Sequence, residues 1–268
     1  MEQVVIYKER FKPSDPRLKR IVHHDSRSKL YPFNTAGLTI QSVTHNRHIP
    51  ILDQGELGSC TGNAGVGALA TDPFFNTLPG TLKYPLNQVG AVSLYSDAEV
   101  IDGTGPYPPN DEGSCGLSIA KALKNAGLIS GYQHTFTVND ALKALTVTPI
   151  LVGIPWYSGM MKTDFDGRVR ITGSFAGGHE IVARQIDAVN QRVWFDNSWG
   201  DKWGVKGRFY LTFADFGTLL SRQGDVTILV PNVATAPTTS TPTTTIPQLS
   251  ADAKLAVAMK EWIAAKGL

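Results

Sequence analysis

The stretch Asp196-Asn197-Ser198-Trp199-Gly200-Asp201-Lys202-Trp203-Gly204-Val205-Lys206-Gly207 follows an apolar strand pattern with two Trp-Gly pairs spaced by turn residues. Taken alone it is bland: an asparagine in a turn and tryptophans destined for a core. Upstream, Gly177-Gly178-His179-Glu180-Ile181-Val182 places a histidine at the opening of an apolar strand after two glycines. A lone histidine there is most often a hydrogen-bonded structural residue. Further upstream, Gln54-Gly55-Glu56-Leu57-Gly58-Ser59-Cys60-Thr61 puts a cysteine at the start of a helical pattern. Free N–H groups and the helix dipole stabilise a thiolate in that position, yet cysteines also begin helices by chance.

Between and around these landmarks the pattern assigns elements. Asn63–Ala70 is small and apolar, and its glycines, poor helix formers, are tolerated where another segment packs close; a buried helix is expected from about Ser59. Further helices are expected at Leu86–Glu99, at Ser118–Ala126 with Gly127 as C-terminal cap, and at Asn139–Leu145. Strand patterns cover Pro149–Ile154, His179–Ile186, Arg192–Asp196, Gly207–Leu211 and Val226–Val230. Helices first and strands second is an α+β arrangement, with a helical lobe over about 51–145 and a curled antiparallel sheet lobe over about 146–231. Residues 1–50 are polar and proline-punctuated, an extended strap on that body. Residues 232–248 are a Thr/Pro linker that buries too little apolar surface to fold. Residues 249–268 form an amphipathic helix with Leu255, Ala258, Met259, Trp262 and Ile263 near one face, which docks on the body, another copy or a partner protein.

The three landmarks occur in the order Gln, Cys, His, Asn. With Gly-Ser-Cys and Asn-Ser-Trp-Gly-x-x-Trp-Gly-x-x-Gly, the chain from about Ile49 to Val230 resembles the papain-like, C1-type cysteine peptidases, closest in motif style to bacterial and viral members. The resemblance implies a two-lobed fold with the active site in the cleft between helical and sheet lobes. It implies Cys60 as nucleophile, His179 as its ion-paired base and then acid, Asn197 as the residue orienting His179, and Gln54 as an oxyanion donor beside the Cys60 N–H. Trp199 would shield the Asn197–His179 bond, and Gly113, Ser114, Gly178 and Glu180 would border the substrate. The function implied is hydrolysis of peptide bonds through an acyl-thioester, without metal or organic cofactor. Two rivals are an acyltransferase or amidase acting on an unusual amide, and a catalytically silent papain-like binding or structural protein.

Several positions depart from the family. Leu57 stands where a disulfide cysteine is common, which fits a reducing compartment, and Thr61 replaces a usual tryptophan. No inhibitory pro-region of the usual kind is recognisable in residues 1–50, so either the chain is made active or the strap regulates it. Cys115 is expected as a free thiol at the cleft edge, the alternative being a bond to Cys60 that would abolish catalysis. Glu180 occupies a position that is generally small in the family, in the pocket for the second side chain before the scissile bond. Its carboxylate either favours a basic side chain there or points away; Arg184, four residues along a strand and so about 13 Å distant, is a poor internal partner.

The bulk numbers bound the partners. Of 268 residues, 42% are hydrophobic and 18% charged, with a formal net charge of +2, enough apolar material for one large domain or two lobes. The loose basic stretch between Lys8 and Lys29 lacks the density of a nucleic-acid footprint. No apolar run reaches membrane-spanning length, and the start MEQVVIYKERFK lacks the apolar core of a secretory signal. A cytoplasmic or virion-associated protein is expected, unless it leaves by a route its sequence does not announce. Two cysteines, Cys60 and Cys115, cannot build a disulfide framework, and neither has a ligand partner at metal-binding spacing.

Overall fold

A computed structural model of the chain describes residues 4–232; most of the expected Thr/Pro linker and the whole C-terminal amphipathic helix lie outside them. Among the described residues no helix is long and apolar enough to cross a membrane. The helices are α1 (Cys60–Leu69), α2 (Gln88–Ile101), α3 (Gly116–Asn125), α4 (Val138–Leu145) and α5 (Phe213–Ser221). The strands are β1 (Ile6–Glu9), β2 (Val22–Asp25), β3 (Val43–Thr44), β4 (Gly131–Thr135), β5 (Ile150–Tyr157), β6 (Phe175–Asp187), β7 (Arg192–Asp196), β8 (Arg208–Thr212) and β9 (Asp225–Val230). β1 and β2 pair as a separate two-stranded sheet, while the main sheet runs β4-β9-β5-β6-β7-β8 with β3 added against β6. All its strand pairs are antiparallel.

The glycines of α1 explain its packing. A Cβ on Gly62 would lie 2.1 Å from the Ala91 carbonyl of α2, and one on Gly65 2.7 Å from side-chain carbons of Leu94 and Ile119. Larger residues would push α2 and α3 away. The sheet separates two cores because neighbouring side chains along a strand point to opposite faces. Leu151, Val182 and Leu229 pack with Val66, Leu69, Leu94 and Ile119 in the helical core. Their neighbours Val152, Ile181 and Ile228 join Trp156, Phe195, Phe209 and Phe216 on the other side.

Several elements depart from the expected order, among them α5, a helix inside the stretch assigned to the sheet lobe. β4 falls inside the stretch assigned to the helical lobe, yet it pairs with β9 in the main sheet. The first fifty residues hold two hairpin strands and β3, and Leu18, Ile21 and Val22 are buried.

Candidate active site

Cys60 begins α1 and is fully buried. The loop before it is pinned to the far lobe: the Gln54 backbone N–H donates to the Ser198 carbonyl at 2.9 Å, and Ser198 Oγ donates to Gln54 Oε1 at 2.6 Å. His179 lies within β6, opposite Ile154 of β5. Its Nε2 donates to Asn197 Oδ1 at 2.7 Å, and Nδ1 has no hydrogen-bond partner. Asn197 Oδ1 also accepts from the Ser198 N–H at 2.8 Å, which fixes the side chain at the end of β7. Trp199 lies beside the imidazole with ring centroids 5.0 Å apart, and Trp156, edge-on at 4.9 Å, packs against both rings. Trp156 sits in an apolar strand run where nothing local distinguishes it from ordinary core.

An ion cluster holds the end of β7. The buried Asp196 carboxylate is within 3.2 Å of Arg47 Nη1, 2.8 Å of Arg184 Nε and 3.2 Å of Arg208 Nε. Arg184, weighed above as a partner for Glu180, thus belongs to Asp196.

The strap fills the cleft between the lobes. Gln54 Nε2 donates to the Arg17 carbonyl at 3.1 Å and to the Leu57 carbonyl at 2.6 Å. Gly178 donates its N–H to the Leu18 carbonyl at 3.1 Å and accepts from the Arg20 N–H at 3.0 Å; Ser114 accepts from the Ile21 N–H at 2.9 Å. Gly113, in the left-handed region at φ +81°, approaches so near that a Cβ there would lie 1.8 Å from the Lys19 carbonyl. The Arg17 guanidinium lies 4.2 Å over the Trp199 ring. Glu180 is buried with Arg20, whose Nε is 3.9 Å from Glu180 Oε2. So Gln54, Gly113, Ser114, Gly178, Glu180 and Trp199 all meet strap residues 17–21. Sequence reading missed Arg17, Leu18 and Arg20: the cleft partners of Leu18 and Arg20 lie more than 150 residues away, and the contacts of Arg17 with Gln54 and Trp199 leave no local pattern either.

Burial sets the protonation of Cys60 and His179. It pushes the Cys60 thiol up to about 12, the Glu180 backbone N–H opposing and the Glu180 charge adding to the rise. It pulls His179 down to about 4, against the bond to Asn197. Under the strap both groups are therefore neutral, thiol and imidazole, rather than the ion pair expected from the sequence. At a pKa of about 12 the thiolate fraction at pH 7 is on the order of one in 10⁵.

Both cysteines are free. Cys115 is not at an open cleft edge; it caps α3, buried, with Sγ 3.6 Å from His23 Nδ1 and 3.4 Å from Ser118 Oγ. Cys115, His23 and Asp102 lie close enough together to hold a cation. Asp102, however, already accepts from Lys8 Nζ at 3.1 Å, Ser114 Oγ at 2.7 Å and Ser118 Oγ at 3.0 Å, a charge-balanced set. A cavity of about 920 Å³ lies beside this group, lined by Tyr7, His23, Cys115, His134 and Phe136. It is away from Cys60, whose own cleft the strap occupies.

No protein-family model matches the chain. The Uncharacterized peptidase C1-like protein L477 of Acanthamoeba polyphaga mimivirus is 26% identical over 209 residues, covering 64% of this chain and 67% of that protein. Among solved structures, xylellain, a cysteine protease from Xylella fastidiosa, superposes with a TM-score of 0.63 at 16% identity, over 85% of this chain and 100% of that one. The proCathepsin B S9 of Trypanosoma congolense superposes with a TM-score of 0.58 at 12% identity, over 81% and 88% of the two chains.

Proposed function

For a chain that has the papain-like α+β fold and resembles the C1-type cysteine peptidases, we propose peptide-bond hydrolysis by Cys60, His179, Asn197 and Gln54, held latent while residues 17–21 occupy the cleft. The observation that carries this reading is the grip on the Arg17–Ile21 backbone. The cleft already binds an extended peptide through Gly178 and Ser114, with a peptide carbonyl on the Gln54 amide. The Arg17 carbonyl oxygen stands in for the oxygen of a substrate's scissile carbonyl.

With the strap displaced, water reaches the pair, and the desolvation that keeps both groups neutral is relieved. In this reading the proton passes from Cys60 Sγ to His179 Nδ1, the ring nitrogen left without a hydrogen-bond partner. The thiolate adds to the scissile carbonyl, and the negative charge that forms on oxygen is met by Gln54 Nε2 and the Cys60 N–H. His179 then gives its proton to the leaving amine, and the acyl-thioester remains on Cys60. Water, losing a proton to His179, adds to the thioester carbonyl and releases the acid and the thiol. Asn197 keeps the ring oriented throughout, because Nε2 stays bonded to its Oδ1 while Nδ1 works. Substrates in this reading are peptides or unfolded protein segments.

Gln54→Ala is expected to cost roughly ten- to a thousandfold in kcat, by analogy with removal of one oxyanion donor. Steady-state kinetics on a fluorogenic peptide measures it. A kcat within twofold of wild type would remove Gln54 from the oxyanion site and with it the main support for the carbonyl's placement.

A further inference from the structure

We propose that the cleft selects its peptide by a basic side chain, arginine ahead of lysine, received in the pocket that Arg20 of the strap now fills; this rests on the peptidase reading above and names its substrate class. Arg20 is 1% exposed. Its Nη2 bonds Asp225 Oδ2, and Nη1 and Nη2 each donate to the Gln223 carbonyl at 3.2 Å. Its Nε faces Glu180 Oε2 at 3.9 Å. Glu180 is 1% exposed and neither of its carboxylate oxygens has a hydrogen-bond partner. Among the described residues Arg20 is the only cation paired with it.

The walls are shaped to that guanidinium. A Cβ on Gly153 would lie 2.4 Å from Arg20 Nε, and one on Gly116 2.7 Å from Glu180 Oε1. Glycine at both positions keeps room for a cation and for the carboxylate it meets. The pocket also opens onto the chemistry. The Arg20 N–H donates to Gly178, the residue before His179, and the charges of Glu180 and Arg20 both act on Cys60. A side chain entering the pocket therefore belongs to a backbone already held beside the nucleophile.

Removing the strap leaves two carboxylates facing one pocket, Glu180 buried and Asp225 partly exposed. An apolar side chain placed there would leave Glu180 without a counter-charge, either as a buried anion or as a carboxyl forced to stay protonated. A guanidinium restores both contacts. It also supplies the fork of donors that the Asp225 carboxylate and the Gln223 carbonyl accept, where an ammonium would meet only part of the set. The strap thus carries in Arg20 the same group that the pocket would take from a substrate.

The test uses full-length chain bearing Leu18→Ala, to loosen the strap, and Cys60→Ala, to stop turnover. Binding is measured by calorimetry for acetylated hexapeptides that place Arg, Lys or Leu at each position in turn. At one position, Arg binds at least tenfold more tightly than Leu, with Lys between them. Glu180→Gln and Asp225→Asn each lower that ratio at least threefold, and Gly153→Ala, which keeps both charges but fills the space, abolishes it. Equal affinity for Arg and Leu at every position, no binding of any peptide, or a ratio unchanged in both acid-to-amide variants overturns the proposal. Failure of the peptidase reading shows separately: the Leu18→Ala chain with Cys60 intact would cut none of the peptides while the arginine preference in binding persists.

Discussion

Cys60→Ala and His179→Ala each reduce hydrolysis of a peptide by a loosened chain by on the order of a thousandfold or more, and the double variant is barely worse than either. The reason lies in their joint work. The thiolate exists only when His179 holds its proton, and the same proton must later reach the leaving amine, so removing either residue stops the same steps. Neither change should unfold the protein: Cys60→Ala removes a single sulfur, and His179→Ala forfeits one hydrogen bond and the contacts of one ring, a local loss in a large core. Matched kinetic and thermal-melt measurements decide the matter. A kcat within tenfold of the parent in either variant would take the chemistry away from this pair.

Leu18→Ala in an otherwise unaltered chain raises peptide hydrolysis by about thirty- to several-thousandfold. Leu18 is fully buried in the core that also holds Ile154, Trp156 and Ala176. Truncating a buried leucine costs about 2–5 kcal/mol. Because the contacts of the Leu18 side chain are made only while the strap is closed, much of that cost falls on the closed state, and each 1.4 kcal/mol multiplies the open fraction tenfold. The gain saturates once the open form dominates. The rate of a fluorogenic peptide, read before and after the substitution, measures it. A rate unchanged or lowered, in a protein that still melts cooperatively, would mean that the strap does not limit access.

The parts of this site that were legible in the sequence are those with local causes. The glycine spacing of α1 announces close helix packing, Gly127 closes α3 at a φ of +69°, and alternating residues of β5 and β6 divide between two cores. Gln54, Cys60, His179 and Asn197 each sit in a short motif. β4 was illegible because Gly-Tyr-Gln-His-Thr has no alternation of its own and is a strand only through its pairing with β9. The start of α5 carried a signal that was overlooked: Thr212 caps the helix by accepting from the Asp215 N–H, a Thr-x-x-Asp pattern. The strap was illegible for a deeper reason. Leu18 and Arg20 look like solvated surface in a basic, proline-rich stretch, and only the three-dimensional meeting with Glu180 and Asp225 gives them partners. Glu180 could be singled out as an oddity, yet no feature of its neighbours identifies Arg20 as its counter-ion.

The central claim is that Cys60 and His179 form a nucleophilic pair masked by the strap, and alkylation by iodoacetamide from pH 5 to pH 9, mapped to each cysteine by peptide mass, tests it most directly. Burial raises both Cys60 and Cys115 to about 12, so in the unaltered chain both react slowly and show no inflection in that range. In the Leu18→Ala chain Cys60 should react rapidly already at the acid end, since an exposed imidazolium stabilises the thiolate far below the ordinary range. Cys115, whose His23 neighbour also faces Asp102, stays buried beside that carboxylate, burial and charge together keeping its thiol raised to about 12, and should still react slowly. An opened chain in which Cys60 reacts no faster than Cys115 at pH 6 would contradict the account.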